Sequence, residues 1–221
     1  MTAKFKKKKY VVVKNAISPE VSDFLYKYFL LKRQVARTMF KERFISPFTT
    51  HFGAWNDPQV INTYSHYSDI AMETLLTQLL PKVSKITGFK LAPNYSYARI
   101  YKKGDILHRH KDRFSCEVST TLFLGGDNWP IFIDPTGSNN VTDESKNTIR
   151  PDAPKGRQVN LNPGDMLVYS GCELEHWREA FDGKDCGQVF LHYNNTETPG
   201  ADKNLYDKRP HLGLPSDFKK P

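Results

Sequence analysis

Residues 94–112 read NYSYARIYKKGDILHRHKD, and what decides the fold is the change of period that begins here. Tyr95, Tyr97, Arg99 and Tyr101 alternate with Ser96, Ala98 and Ile100, the two-residue repeat of a strand with two unlike faces. The same alternation puts His110 and Asp112 on one face of a strand end. Taken alone, such a pair is more often two surface residues. A second imidazole from a facing strand changes its meaning, because two histidines and one carboxylate on one side of an ion leave its other coordination positions open. His176, followed by Trp177 and Arg178, is the candidate for that second imidazole.

Upstream of this stretch the period is helical. Ser18 and Pro19 are an N-cap with proline at the first helical position. Val21, Phe24, Leu25, Tyr28 and Phe29 then mark a helix expected to bury one face. Met72, Leu75, Leu76, Leu79, Val83 and Ile86 mark a second, with Gly88 as its stop. Residues 41–66, with Phe44, Phe48, Phe52 and Trp55, read as a loop able to act as a lid. Downstream, β-prone segments over 118–124, 130–134, 157–161, 166–169, 173–178 and 188–194 are separated by Gly and Pro turns. Residues 135–156 are polar and read as a mobile insertion. Helices followed by a run of short strands predict an α+β, mainly β fold: a double-stranded β-helix (jelly roll) core with N-terminal supporting helices. The expected organisation is a basic flexible tail over 1–9, one jelly-roll domain over 10–195 and a C-terminal extension over 196–221.

Composition narrows the function classes. With 38% hydrophobic and 13% aromatic residues among 221, the chain can bury a core. Apolar runs such as 10–13 and 29–31 fall far short of the roughly 20 residues that cross a bilayer, so no membrane role is expected. The formal charge of +8 invites a nucleic-acid reading, yet five lysines lie in the first nine positions. Without them 27 basic residues face 24 acidic ones. Cys116, Cys172 and Cys186 are odd in number and unpaired in spacing, which suggests reduced thiols and a cytoplasmic location.

The order Tyr101, Gly104, His110, Asp112, then Pro163, Gly164, Asp165 and finally His176 resembles the Fe(II)- and 2-oxoglutarate-dependent dioxygenases, in particular their prolyl 4-hydroxylase-like branch. The resemblance spans roughly residues 10–195. It implies that His110, Asp112 and His176 bind Fe(II), that 2-oxoglutarate and O2 occupy the remaining positions, and that ascorbate serves as an accessory reductant. The implied reaction is oxidative decarboxylation to succinate and CO2 coupled to hydroxylation of a C–H bond. Asp112 at the carboxylate position argues against a halogenase.

The family also needs a cation for the distal carboxylate of 2-oxoglutarate, and residues 185–188, near where it is expected, contain none. Arg178, which shares a face with His176, and Lys184, in a turn, are the two substitutes, and Tyr101 is the hydroxyl donor. Ser119, Thr121 and Phe123 share one strand face whose direction is open. His108 is read as exposed or supporting, His192 as a core histidine, and Arg99 and Arg113 as surface-paired cations near the mouth. The branch implies a peptide or protein substrate carrying proline. A free amino acid or a nucleobase remains an alternative, with the basic tail assisting on nucleic acid. Outside this chemistry stand a cupin-like zinc or manganese isomerase and a non-catalytic binding module.

Overall fold

The alternation beginning at residue 94 becomes a central strand because each of its faces meets a different partner. In the computed structural model, which describes residues 3–219, the chain runs α1 (Ala3–Lys8), β1 (Tyr10–Val13), α2 (Pro19–Lys41), β2 (Tyr64–Tyr67), α3 (Ile70–Thr87), β3 (Leu91–Lys102) and β4 (Leu107–His110). There follow β5 (Val118–Gly126), β6 (Ile131–Ile133), β7 (Val141–Asp143), β8 (Thr148–Ile149), β9 (Arg157–Val159), β10 (Met166–Ser170), β11 (His176–Arg178) and β12 (Asp185–Asn195). The major sheet has the order β1-β10-β5-β12-β3-β2, the minor sheet β4-β11-β6-β9, and the paired strands are antiparallel. This is the expected jelly roll, two facing antiparallel sheets with helices against the larger one.

Two apolar layers follow from the period-2 pattern. Ala98 and Ile100 of β3 pack with Leu122, Val189 and Leu191 against Leu75, Leu76, Leu79 and Val83 of α3. Tyr101 points the other way and joins Leu107, Phe123, Ile131, Leu167 and Tyr169 between the sheets. Ser18 caps α2 by accepting from the Val21 N–H at 3.4 Å. Gly88, at φ +73°, closes α3 in the left-handed conformation and donates its N–H to the Ser84 carbonyl at 2.7 Å.

Three expectations are corrected here. Residues 3–8, expected as part of a solvated tail, are a helix whose Phe5 is buried against Phe89 at a centroid separation of 6.2 Å. Burying that ring contributes about 2 kcal/mol, which a helix this short needs from outside itself. The loop expected over 41–66 ends in edge strand β2, paired with β3 from Tyr64↔Ile100 to Tyr67↔Tyr97. On α2, Leu25 and Phe29 reach the core, but Val21 and Phe24 do not; both are exposed. Among the described residues no helix is long and apolar enough to cross a membrane, and all three cysteines are free.

The C-terminal segment is tied down by charge. Arg209 and Glu73 are both buried, and Arg209 donates from Nη2 to Glu73 Oε1 at 2.7 Å and to the Asn94 carbonyl at 3.1 Å. Because a buried carboxylate left alone is costly, Arg209→Ala is expected to destabilise the fold by about 3–5 kcal/mol. Arg209→Ala with Glu73→Gln should recover part of that loss, both measured by urea denaturation.

Candidate functional site

The pairing of β4 with β11 sets His176 opposite His110, with ring centroids 4.3 Å apart. In each ring Nδ1 faces a carbonyl, His108 O at 2.7 Å and Leu174 O at 3.0 Å. A nitrogen facing a carbonyl carries the proton, so in both rings Nε2 bears the lone pair, that of His110 lying within reach of the Gln59 amide. Asp112 lies just beyond the end of β4, where its N–H donates to Gly171 O at 2.9 Å. Its Oδ2 accepts from Ser119 Oγ at 2.6 Å, and its Oδ1 stands 3.6 Å from His110 Nε2 and 3.5 Å from His176 Nε2.

These three donor atoms lie within 4.8 Å of one another. Ligands about 2.1 Å from an ion at right angles lie about 3 Å apart, so the set needs only slight contraction to fill one face of an octahedron. Burial would raise the Asp112 carboxyl, but the imidazoles of His176 and His110 hold it well below the ordinary carboxylate range. Burial is the largest influence on His110 and lowers it, but the adjacent Asp112 carboxylate and the His108 carbonyl together outweigh burial and the net shift is upward. Asp112, Cys116 and His192 form a second close group. It suits a metal less well, because burial pushes the Cys116 thiol up and a neutral thiol is a poor ligand.

Behind the histidines lies a buried cation. Arg178 is 1% exposed on the same strand as His176. It donates to the Trp129 carbonyl and, across the sheets, from Nη2 to Thr121 Oγ1 at 3.2 Å; its Nε has no hydrogen-bond partner. Among the described residues no carboxylate pairs with it, and burial pulls its pKa down. Lys184 is exposed, in the turn before β12, so the structure brings Arg178 but not Lys184 to the interior. Tyr101 is fully buried between the sheets, and its hydroxyl accepts from Arg99 Nη1 at 3.1 Å. Ser119, Thr121 and Phe123 all face the interior. Ser119 holds Asp112, Thr121 holds Arg178, and Phe123 packs in the inter-sheet core.

The side chain of His108 is exposed, and His192 is buried with Nδ1 3.0 Å from Ser119 Oγ. Arg113 pairs with Asp207 at 2.9 Å. Arg99, expected at the surface, is instead buried, with Nη2 2.6 Å from Asp57. Asp57 and Gln59 are the site residues that sequence reasoning missed. Gln59 accepts from Arg99 at 3.2 Å and places its Nε2 3.3 Å from His110 Nε2. They sit in the segment singled out for its aromatics, and a short polar run there carries no distinguishing signal. The insertion expected to be mobile is anchored at its base. Asn140 is buried and donates its backbone N–H to Glu175 at 2.5 Å, while Arg109 joins Glu175 at 2.7 Å and Asp134 at 2.5 Å. A pocket of about 320 Å³, walled by Tyr97, Tyr101, Tyr169 and Phe190, contains the three clustered donors and opens beside Gln59.

No protein-family model matches the sequence, and no curated protein matches it. Solved structures do. A prolyl-4-hydroxylase from Pseudomonas putida superposes with a TM-score of 0.56 at 13% identity, over 86% of this chain and 95% of that one. The non-heme alpha ketoglutarate dependent carbocyclase SnoK from nogalamycin biosynthesis gives 0.56 at 12%, over 86% and 80%. HygX from Streptomyces hygroscopicus, with nickel and 2-oxoglutarate bound, gives 0.59 at 14%, over 100% and 94%. The chain has the fold of the 2-oxoglutarate-dependent oxygenases. At these identities the likeness is one of fold.

Two outcomes test this geometry. A Cβ at Gly171 would come within 2.4 Å of Asp112 Oδ2 and of the Cys116 carbonyl. Gly171→Ala should therefore cost about 1–3 kcal/mol of stability and weaken divalent-metal binding, read by calorimetry, about tenfold or more. Burial drives the His192 imidazole down to about 4. Below about pH 6.5 the unfolded chain then takes up a proton that the folded chain refuses, so stability falls as pH drops from about 6.5 towards 4, by about 3 kcal/mol in total. His192→Gln should flatten that slope in denaturation midpoints measured against pH.

Proposed function

We propose that the protein is an Fe(II)- and 2-oxoglutarate-dependent oxygenase, an oxidoreductase that hydroxylates a substrate C–H bond with release of succinate and CO2. The observation that carries this reading is Arg178, a buried guanidinium with an unpartnered Nε and, among the described residues, no carboxylate partner, on the same short strand as His176. A buried cation without a counter-charge is costly, and a dicarboxylate reaching it from the metal face would remove that cost. A second buried arginine, Arg99, already has Asp57.

His110 Nε2, His176 Nε2 and Asp112 Oδ1 would hold the iron, which when bound with the 2-oxo acid supplies the coupling of O2 reduction to decarboxylation. The chain's own residues do the rest. Ser119 fixes the carboxylate so that only Oδ1 turns to the metal face, and the His108 and Leu174 carbonyls fix both imidazole tautomers. Arg178 can grip the distal carboxylate through two parallel hydrogen bonds, with Tyr101 and Thr121 as neighbouring hydroxyls. Leu107, Ile131, Tyr169 and Phe190 line the pocket and exclude water.

The first reading of the substrate is a peptidyl proline, supported by the resemblance of the motif. A small molecule is the second reading. It is supported by Gln59, which narrows the approach to the metal face, and by HygX, whose structure is also known with hygromycin B bound.

The expected result is a weak visible charge-transfer band when anaerobic protein receives Fe(II) and 2-oxoglutarate, and succinate formation in air. Arg178→Ala should weaken 2-oxoglutarate binding about ten- to a hundredfold, while Lys184→Ala leaves it unchanged. Succinate release screened over proline peptides, free amino acids, small glycosides and oligonucleotides separates the substrate readings. Tight zinc binding with neither band nor succinate would favour the isomerase.

A further inference from the structure

Residues 206–208 hold a backbone conformation that residues other than glycine rarely adopt. Tyr206, Asp207 and Lys208 have φ of +52°, +53° and +67° in succession. Left-handed backbone is unfavourable for each of them and persists only where the surroundings over-determine it. Here the surroundings do. Arg209 follows directly, in its buried pair with Glu73, and Asp207 is itself buried. The Asp207 carboxylate accepts from the Tyr67 hydroxyl at 2.7 Å and from Arg113 Nη2 at 2.9 Å, and Lys219 Nζ lies 2.5 Å from it.

What this bend reaches is the wall of the pocket that holds the three donors. Arg113 directly follows Asp112 and lines that pocket, with its guanidinium 4.9 Å from the centre of the Tyr95 ring. Carboxylate and ring fix the guanidinium in place, yet the side chain is 53% exposed. A guanidinium carries five N–H donors, and these two neighbours engage only part of them. The other charges around the pocket are committed elsewhere. Asp57 is paired with Arg99, and Asp112 belongs to the clustered donors. Lys111 sends its amine to the Gly137 carbonyl at 2.9 Å and to Asn139 Oδ1 at 2.6 Å. Glu144 lines an adjoining cavity, where Lys102 and Lys103 pair with Asp105 and Asp182 and Arg109 pairs with Asp134 and Glu175. Asp207 is one carboxylate shared by two cations, so it neutralises Arg113 only in part.

We propose that Arg113 selects the substrate by pairing with a carboxylate or phosphate of a small molecule whose C–H bond lies at the metal face. This rests on the oxygenase reading above and narrows its substrate to an anion. A cation already held in place meets an anion at little cost in ordering, and a guanidinium can grip either group through two parallel hydrogen bonds. The pocket of about 320 Å³, walled by Tyr95, Tyr97, Tyr169 and Phe190, suits a small apolar body attached to that charge. Arg178 takes the 2-oxo acid in the same reading, so the two anions have separate cations.

Calorimetric titration of the full chain tests this, kept anaerobic with Fe(II) and saturating 2-oxoglutarate so that Arg178 is occupied. The probes are benzoate, phenyl phosphate and the neutral benzyl alcohol. At least one anion is expected to bind about tenfold or more tightly than benzyl alcohol, and the tighter of the two tells carboxylate from phosphate. Arg113→Gln changes an exposed side chain and leaves Asp207 with Lys219 and Tyr67, so it should keep the circular dichroism of the fold. It should erase the preference for the anion while leaving 2-oxoglutarate affinity unchanged, and Arg113→Lys, which keeps the charge, should retain part of that preference. Anions bound no better than benzyl alcohol would overturn the proposal. So would a preference that survives Arg113→Gln, or a loss of 2-oxoglutarate affinity in that variant. Succinate release separates this proposal from the reading beneath it. Turnover of neutral proline peptides but of no anionic small molecule would overturn the substrate class alone, whereas Arg113-dependent anion binding without any succinate would uphold the anion site and overturn the oxygenase reading.

Discussion

The antiparallel register of β4 against β11, with His110 opposite His176, is the contact on which the rest of the site depends. It is a short pairing, and it works because both faces of it are held. Inside, the two imidazoles converge on Asp112, and carbonyls two residues upstream fix their tautomers. Outside, the alternate residues Arg109 and Glu175 form a buried ion pair that also takes in Asp134 and Asn140. A slip of one residue in either strand would turn that strand's histidine away from the interior and break that ion pair at once. The polar cluster therefore specifies register, while the apolar layer between the sheets supplies most of the stabilisation.

Two arginines are buried near the three donors and differ in a way that bears on function. Arg99 is neutralised by Asp57 and shares its donors with Gln59 and Tyr101, so the loop before β2 is drawn onto the metal face. Arg178 has a carbonyl, a hydroxyl and the ring of Trp129 at 5.1 Å, but no carboxylate among the described residues. Desolvating a guanidinium costs several kcal/mol, and neutral dipoles recover only part of it. One cation completes the fold's own wiring, and the other is the one proposed to hold the 2-oxoglutarate carboxylate.

The fold was largely legible in the sequence because its signals are local. The alternation along β3, the caps at Ser18 and Gly88, and the glycine and proline turns between the strands each depend on residues close in the chain. The site was legible as a set of types, His110, Asp112 and His176, because their order with Tyr101, Gly104 and the turn at 163–165 resembles that of the 2-oxoglutarate-dependent dioxygenases. Less legible were features for which two patterns overlap. The stripe of α2 reads as one amphipathic face, yet the structure divides it, with Leu25 and Phe29 turned inward and Val21 and Phe24 outward. Phe5 lies among lysines, and composition concealed a residue that anchors α1.

By itself the sequence determined the order of elements and the two-sidedness of β3, which follow from periods, and it marked the three clustered donors through the resemblance of their motif. Only the tertiary structure decided that Arg178 rather than Lys184 is enclosed, that Asp57 and Gln59 belong to the site, and which way Ser119 and Thr121 face. The physical reason is burial. Whether a charge is desolvated, and whether a partner stands opposite it, depends on strands that meet far apart in sequence, and no local pattern records that meeting.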